Sequence, residues 1–535
     1  MANNFIPILH RKEWVGVPPA PNAHAAGMGI ACDLRTHGYA HPWILQLTSA
    51  TILNKYHISN KAWGFGRSPA LAGTFGAGAG CVFAPSLGLT GSVSTGSSTT
   101  VITTSTTITS VGKNTLANRG DGIGYILRVV GKVSGKIEER RITGNTNGTT
   151  PTITVESAFT FTPASGDVYE ILAGRLFTLS AGTTAAGVWK SYEMGANTLS
   201  GNLSTTGLPA TISTDFSAIA LDEQYNPWNR KPGEGLIVGA STYDGGDKQC
   251  LLATASGASS LTGQASAGDA VVAANEYRNF QIRIVEDTTA PTAVGQRRII
   301  ASHTAGASPV YTLGTAWSVQ PSSSAKFVIE YPNVIVLRSS ATTSVYVYNY
   351  SGATISNGTN TIANDAWSTT YFAAAGNAMG AGCTQFLSSG FEVDASRNAR
   401  HSFIHCFRGG GSSALDVLDI AGATTGSWEN GADYDGVTTL TTGTSGILSP
   451  GCCEGRYGYI NIYTAGAVNQ IYKYDVKNRQ LCPDTATDLI QSGTAAAGDR
   501  IASMISVKSA SPYEPYSVIL LVGHLSTISQ ELVIM

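Results

Sequence analysis

Two histidine pairs are the first residues to consider for metal chemistry, because the members of each pair lie four residues apart. His37 and His41 form one pair, and His401 and His405 form the other. On a helix this spacing makes a pair of metal ligands, whereas on a strand both side chains point to one face about 13 Å apart. Both pairs lie in strand-like sequence, so we predict no metal site at either pair.

Three further short patterns could carry chemistry. The segments YDGGD (243–247) and DYDG (433–436) could hold calcium through loop oxygens, but Asp-Gly is also a common tight turn, which is the interpretation we favour. Arg119-Gly120-Asp121 spells an integrin motif, and in a glycine-rich loop it is also interpreted as a turn. The chain contains no G-x-S-x-G, H-E-x-x-H or P-loop motif. We expect no catalytic residue, no cofactor and no metal.

The cysteines are scattered and most lie in apolar surroundings: Cys32, Cys81, Cys250, Cys383, Cys406, Cys452, Cys453 and Cys482. This distribution is typical of buried thiols made in a reducing cytosol. Adjacent Cys452 and Cys453 could bind a metal, but no second pair at ligand spacing accompanies them. We therefore expect all eight cysteines to be free thiols.

Large apolar side chains in two irregular segments are the candidate partner-binding residues. The N-terminal arm contributes Phe5, Ile6, Leu9 and Trp14, and the segment NPWNRKPGEG (226–235) contributes Trp228. Side chains of this kind would make an exposed arm adhesive, so we expect residues 1–30 to pack against a neighbouring subunit or another protein. The alternative is that the arm pairs with ELVIM (531–535) of its own chain.

Composition restricts the class of protein. Only 13% of the 535 residues are charged, against roughly 25% in ordinary globular chains. The net charge is −2 and there is no basic block, which disfavours a dedicated nucleic-acid binder, although a ring could let DNA pass through it. The N-terminus has no apolar signal-peptide core, and the apolar run SVILLVG (517–523) is too short to span a bilayer.

An internal repeat defines the organisation of the chain. At an offset of 158 residues, Pro151 aligns with Pro309, Phe159 with Trp317, and Tyr192 with Tyr350. The matched apolar residues alternate, which is typical of strands. We interpret the repeat as a duplicated module, in which a small inserted β domain is followed by further strands.

Those further strands belong to six segments that share one outline: an apolar strand, a small-residue turn and a second strand, often with a later tryptophan. The six segments are 41–63, 174–198, 333–356, 400–428, 457–481 and 501–523. The fourth carries Gly409-Gly410, Asp419 and Trp428, an outline similar to kelch repeats. The predicted fold is all-β, a kelch-like β-propeller with two homologous small β domains inserted between blades. We expect four aromatic residues to be buried between blades: Trp63, Tyr192, Tyr350 and Trp428.

The expected domain organisation follows this pattern along the chain. It comprises an N-terminal arm at 1–40, a first blade region at 41–88, inserted domain 1 at 89–173, a second blade region at 174–260, inserted domain 2 at 261–331, and the remaining blades at 332–535.

Taken together, the opening NFIPILHRKEW, the paired RRI…P…P insert motifs and the kelch-like C-terminal half resemble virion structural proteins of tailed bacteriophages. The resemblance implies a multicopy homo-oligomeric ring, such as a tail nozzle or neck protein, that contacts other virion proteins. It implies a virion location after synthesis in the host bacterial cytoplasm. A capsid-associated protein or a binder of host surface glycans is the alternative hypothesis, and a propeller enzyme is a third hypothesis. No membrane insertion is expected.

Overall fold

The structure is a computed structural model. It describes the following residues: 12–17, 30–33, 43–47, 53–57, 62–63, 80–86, 90–105, 111–117, 124–131, 137–179, 189–193, 198–199, 203–208, 216–221, 236–238, 251–264, 272–339, 341–380, 383–394, 399–409, 412, 414–432, 452–454, 457–462, 470–475, 480–481, 501–507, 516–522 and 529–534.

The all-β expectation is confirmed: regular structure in the described residues consists of strands and one 3-10 turn, Pro291–Ala293. Six four-stranded antiparallel sheets can be traced. Sheet 1 contains β2 (Ile30–Asp33), β3 (Trp43–Leu47), β4 (Leu53–His57) and β5 (Ala62–Trp63). Sheet 2 contains β6 (Gly80–Ser86), the second half of β12 (Val168–Leu179), β13 (Trp189–Glu193) and β14 (Thr198–Leu199). Sheet 3 contains β15 (Phe216–Leu221), β23 (Val334–Ser339), β24 (Tyr346–Asn349) and β27 (Ala366–Ser368).

The C-terminal half of the chain forms the other three sheets. Sheet 4 contains β28 (Thr384–Asp394), β29 (Ala399–Phe407), β30 (Leu415–Asp419) and β31 (Ser427–Ala432). Sheet 5 contains β32 (Cys452–Glu454), β33 (Tyr457–Ile462), β34 (Gln470–Asp475) and β35 (Gln480–Leu481). Sheet 6 contains β36 (Ile501–Val507), β37 (Tyr516–Val522), β38 (Ser529–Ile534) and β1 (Lys12–Val17). A hairpin of β25 (Ile355–Ser356) and β26 (Thr361–Ile362) lies between β24 and β27 along the chain.

The six sheets are arranged in a propeller-like circle. The first strand of each sheet lies beside the first strand of the next, in the order β2, β6, β15, β28, β32, β36 and back to β2. Each of the six segments that share one sequence outline falls within a different sheet of this circle. The reason is local: each segment carries two alternating apolar strands joined by a short turn, which is the unit of an antiparallel meander.

The N-terminal strand closes the circle within one chain. Strand β1 pairs antiparallel with β38, from Lys12 opposite Ile534 to Val17 opposite Ser529. For residues 12–17, the structure shows the intrachain alternative, pairing with the C-terminal strand; the contact with a neighbouring subunit stays a prediction. Without β1, one edge of β38 would have unpaired backbone groups, and β1 supplies their hydrogen-bond partners.

The two inserts lie within sheets 2 and 3, rather than between blades as the sequence predicted. Strand β6 pairs with the second half of β12, and β15 pairs with β23, so each insert separates the first and second strands of one sheet. Two of the predicted domain boundaries also change, because the first strand of a sheet comes earlier in the chain than the sequence outline indicated. Strand β2 belongs to sheet 1 although it lies within the predicted arm at 1–40, and β6 belongs to sheet 2 although it lies within 41–88.

Insert 1 comprises β7 (Thr90–Ser92), β8 (Val101–Thr103), β9 (Ile126–Val130), β10 (Ile137–Asn145), β11 (Thr152–Val155) and the first half of β12. Insert 2 comprises β16 (Leu236–Val238), β17 (Leu251–Gly257), β18 (Ser260–Gly263), β19 (Gln281–Glu286), β20 (Arg297–His303), β21 (Val310–Leu313) and β22 (Lys326–Glu330). It starts before the predicted residue 261, because β17 forms a hairpin with β18.

Both inserts close into a small barrel with the same strand order. In insert 2 the hydrogen-bonded circle runs β17, β18, β21, β20, β19, β22 and back to β17. In insert 1 it runs β7, β12, β9, β10, β11 and β8, and a bridge between Val93 and Thr104 brings β8 back to β7. The barrel axis is filled by apolar side chains from alternate strand positions, with Ile102, Ile142 and Ile153 fully buried in insert 1.

Side-chain hydrogen bonds repeat between the two barrels. Asn114 and Asn275 both adopt a positive φ, and their side-chain oxygens accept from the backbone N–H of Asn145 and His303, respectively. The Asn145 side-chain oxygen accepts from the Leu116 N–H, and His303 Nε2 accepts from the Tyr277 N–H in the same way. One position thus carries an amide in insert 1 and an imidazole in insert 2, with the same acceptor role.

Apolar cores lie between neighbouring sheets. Between sheets 2 and 3, Trp189 stacks on Phe177 at 5.3 Å and meets Trp367 edge-on at 5.1 Å. Of the four aromatic residues expected between blades, Tyr192 and Tyr350 are buried, and Trp63 and Trp428 are half-buried. The Trp428 indole N–H donates to the Ala373 carbonyl at 2.7 Å, and the Arg338 guanidinium lies over its ring.

Candidate functional site

A polar cleft of about 160 Å³ lies where insert 2 meets sheet 3. Strands β19 and β20 and the turn before β20 form one wall, and the connection after β24 forms the other. The lining residues are Gln281, Gly295, Gln296, Arg297, Arg298, Ile299, Thr315, Ser351, Gly352, Ala353, Thr354 and Ile355. Guanidinium, amide and hydroxyl groups share this lining with aliphatic surface, so the cleft is suited to a ligand that carries several polar groups.

Gly314 allows the two walls to meet. A Cβ atom at this position would lie 1.8 Å from the Ser356 carbonyl oxygen, so no residue other than glycine fits without displacing the backbone of β25. The residue at the matching position of insert 1, 158 residues earlier, is Glu156. Insert 2 therefore has a flat contact for β25 where insert 1 carries a charged side chain.

Arg298 is the cationic residue of the cleft that has no carboxylate partner among its contacts. Its guanidinium donates to the carbonyls of Ala316 and Arg297 at 2.7 Å each, to the Ser318 hydroxyl at 2.8 Å and to Gln296 Oε1 at 3.4 Å. It also lies 5.6 Å from the centre of the Trp317 ring. Burial lowers the pKa of Arg298 from its ordinary value, because the partly buried charge lacks full hydration.

The counterpart in insert 1 is Arg140, which shares the backbone and aromatic contacts of Arg298 but differs in the side chains that its second terminal nitrogen meets. Arg140 donates to the carbonyls of Ala158 and Glu139 and lies 5.2 Å from the centre of the Phe159 ring. Its second terminal nitrogen donates to the Glu138 carboxylate at 2.7 Å. At the position of Glu138, insert 2 has Gln296. The amide accepts the backbone N–H of Ser318, as Glu138 accepts that of Thr160, but it supplies no charge.

The two inserts consequently differ in the sign of their net charge along this edge. At the five matched positions in insert 1 the residues are Glu138, Glu139, Arg140, Arg141 and Glu156, with one net negative charge. In insert 2 they are Gln296, Arg297, Arg298, Ile299 and Gly314, with two positive charges. The edge of insert 2 that faces the cleft has no carboxylate at these positions; Arg298 matches Arg140, Arg297 replaces Glu139, and Ile299 replaces Arg141.

Arg297 joins the two inserts through a buried ion-pair network. Its guanidinium lies 3.2 Å from a Glu170 oxygen of insert 1 and 3.4 Å from a Glu330 oxygen of insert 2. Glu170 also pairs with Arg128, and Glu330 accepts the Nε of Arg283 at 3.0 Å. All of these side chains are buried or nearly so. The network fixes the position of Arg297 at the back of the cleft.

Most of the residues that the sequence singled out lie outside the described part of the chain: Phe5, Ile6, Leu9, Trp228, His37, His41, 119–121, 243–247 and 433–436. Trp14 lies in β1, opposite Leu532 of β38. His401 and His405 share strand β29, where His405 is buried. The structure does not bring the predicted residues together at one site.

The described ranges contain no group of three or more His, Cys, Asp or Glu side chains arranged to hold a metal. Cys383 and Cys406 are buried, and burial raises the pKa of Cys406 to about 12, so its thiol stays protonated at neutral pH. Within the same part of the chain, no helix has the length and apolar character needed to cross a membrane.

The cleft was missed at the sequence level, although a signal was present. Both inserts carry a pair of adjacent arginines, and the offset of 158 residues sets Glu138 opposite Gln296. A charge lost between two copies of one module indicates where their roles have diverged. The second wall, at 351–355, could not be assigned to the cleft without the fold.

Comparison with known proteins adds little to these observations. No family model and no curated protein matches the chain. Among solved structures, the chain is similar to a polysaccharide lyase, described as an ulvan lyase bound to a glucuronate and sulfated rhamnose oligosaccharide. The two are 9% identical over 98% of this chain and 96% of that one, with a TM-score of 0.30.

Proposed function

We propose that this chain is a non-catalytic structural component of a tailed-phage virion, a kelch-like β-propeller with six blades that assembles as a multicopy ring. A tail nozzle or neck position is the proposed place, and a capsid-associated position is the alternative. The inserts form the surface through which the ring contacts neighbouring subunits and other virion proteins. DNA passes through the ring without specific recognition.

The observation that carries the proposal is a difference between the outer surfaces of the two inserts. Among the described residues, the exposed large apolar side chains are Leu252, Val310 and Val319, which are 44%, 39% and 36% exposed. All three belong to insert 2. Strand pairing places Leu252 opposite Lys326 and Val310 opposite Thr262 on the outside of the barrel.

Insert 1 is polar at two of the three matching places, and Phe161 matches Val319. Ser92 takes the place of Leu252, because its partner Val168 matches Lys326. Thr152 takes the place of Val310, because its partner Thr103 matches Thr262. The same barrel therefore folds with polar residues at these two places, so Leu252 and Val310 are not needed for folding. Exposed apolar groups on one copy of a duplicated domain favour a contact with another protein.

Rigid connection of the inserts supports the same proposal. Arg297 of insert 2 reaches Glu170 of insert 1 within a network of buried charges. Two barrels fixed to each other present one continuous surface, whose ordering costs less conformational entropy on assembly than two independently moving domains would. Cyclic symmetry is the usual outcome when identical chains repeat one such heterologous contact.

The test is the mass of the full-length protein in solution, measured by native mass spectrometry and analytical ultracentrifugation. We expect a single closed ring that persists on dilution. The variant Leu252→Ser/Val310→Thr carries the residues of insert 1 and should assemble less while keeping the melting temperature of the parent. Thr152→Val in insert 1 is the control and should leave assembly unchanged. A parent protein that stays monomeric at every concentration would refute the proposed ring.

A further inference from the structure

The geometry points to a binding site for an acidic sugar residue in the cleft between insert 2 and the connection after β24, with Arg298 as the group that receives the carboxylate. This inference goes beyond the proposed assembly role, because it concerns a ligand bound by a single chain.

The first argument is the missing counter-charge. Arg140 in insert 1 is neutralised by Glu138 at 2.7 Å, whereas the matching nitrogen of Arg298 donates to two neutral acceptors, Gln296 Oε1 at 3.4 Å and the Ser318 hydroxyl at 2.8 Å. A guanidinium whose acceptors are all neutral can bind an external carboxylate by charge-assisted hydrogen bonds. The residue that occupies this place in insert 1 is itself a carboxylate, so this chemistry is compatible with the barrel.

The second argument is the shape of the site. The contact of Gly314 with Ser356 in insert 2 creates the second wall, and the matching residue of insert 1 is the exposed Glu156. The resulting space of about 160 Å³ is comparable to the volume of one pyranose ring. A sugar residue would lie between the guanidinium of Arg298 and the connection that contains Thr354.

The third argument is the set of hydroxyl groups around the charge. Thr315 and Thr354 line the cleft, and their hydroxyls form no hydrogen bond with the described part of the chain. Hydroxyl groups that can both donate and accept are suited to a polyol ligand. A short aliphatic carboxylate, such as an aspartate side chain, would use Arg298 but would leave these hydroxyls unmatched, so the lining favours a sugar over an acidic peptide.

Equilibrium binding to the full-length protein tests the inference, with glucuronic acid as the probe and glucose as its neutral match. Isothermal titration calorimetry or ligand-observed NMR should detect the acid and show at least about tenfold weaker binding of glucose, the ratio expected for one charged hydrogen bond. Binding should weaken as salt concentration rises.

Two variants address the two parts of the site. Gln296→Glu copies insert 1 and supplies an internal carboxylate to Arg298, so it should reduce binding of glucuronic acid by at least about tenfold. Thr315→Val/Thr354→Val removes the hydroxyls without changing the charge and should weaken glucuronic acid but not inorganic sulfate. Glu138→Gln in insert 1 is the matched control and should leave binding unchanged.

Three results would overturn the inference. Equal affinity for glucose and glucuronic acid would exclude Arg298 as the recognition group. Equal affinity for inorganic sulfate and glucuronic acid, or tighter binding of an oligoglutamate peptide, would exclude a sugar ligand. Unchanged binding in both variants would exclude the cleft, and this outcome is independent of whether the protein assembles into a ring.

Discussion

Replacing Glu330 by glutamine should be among the most destabilising single substitutions in insert 2. Glu330 is 3% exposed and accepts hydrogen bonds from Arg283 at 3.0 and 3.1 Å and from Gln281 at 2.8 Å. It also lies 3.4 Å from Arg297. One carboxylate thus serves two guanidinium groups in a buried position, and a neutral amide would remove the counter-charge of Arg283 and leave Arg297 with Glu170 alone.

The magnitude follows from the burial of both partners. The Arg283 and Glu330 side chains are 6% and 4% exposed, so water cannot rehydrate the stranded charge. Breaking a buried ion pair by removing one partner costs about 3–5 kcal/mol. The Glu286–Lys326 pair provides a control on the same two strands, because its side chains are 11% and 28% exposed at an N–O distance of 2.7 Å. Glu286→Gln should cost at most about 1 kcal/mol.

The assay must resolve insert 2, because a chain of 535 residues with several cores is not expected to unfold in one step. Hydrogen exchange followed by mass spectrometry reports the free energy of local opening for peptides that cover β19, β20 and β22. Protection in these strands should fall in Glu330→Gln by a factor that corresponds to the predicted free energy. Protection in sheets 4 to 6 should not change.

A double variant separates the stranded charge from the lost contacts. Arg283→Met combined with Glu330→Gln should lose less stability than the sum of the two single substitutions, because the uncompensated charge disappears with the arginine. If Glu330→Gln exchanges like the parent, or if Glu286→Gln is equally destabilising, the argument from burial is wrong for this network.

Three further outcomes are expected. Deleting residues 1–17 removes the strand that pairs with β38, so the melting temperature should drop by several degrees; loss of assembly with an unchanged melting temperature would instead support an arm between subunits. Burial holds the pKa of His303 below its ordinary value, so the unfolded chain takes up the proton first as pH falls. The stability of insert 2 should therefore be complete above about pH 6.5 and decline below it. The variant His303→Asn, which copies Asn145, should abolish this pH dependence when stability is followed by hydrogen exchange. Trp189→Ala should cost about 3–5 kcal/mol, since Trp189 is 3% exposed between sheets 2 and 3, and a variant that melts like the parent would contradict that packing.

The sequence by itself determined which segments form strands and which of them are duplicated. Alternation of apolar residues is set by the two-residue period of a strand, so segments such as 333–356 could be recognised without the fold. The matches of Pro151 with Pro309 and of Phe159 with Trp317 identified two related units, and these units share one strand order. Local pattern was sufficient because each antiparallel hairpin is formed by residues close in sequence.

Only the tertiary structure decided which strands are neighbours when they are distant in sequence. Strand β6 pairs with β12 across the whole of insert 1, and β1 pairs with β38 across the whole chain. Backbone hydrogen bonds carry no side-chain signature, so pairing partners cannot be read from residue types. The cleft has the same origin: Arg298 and Thr354 line one cleft because Gly314 lets β25 pack directly on insert 2, and that contact depends on packing rather than on any local pattern.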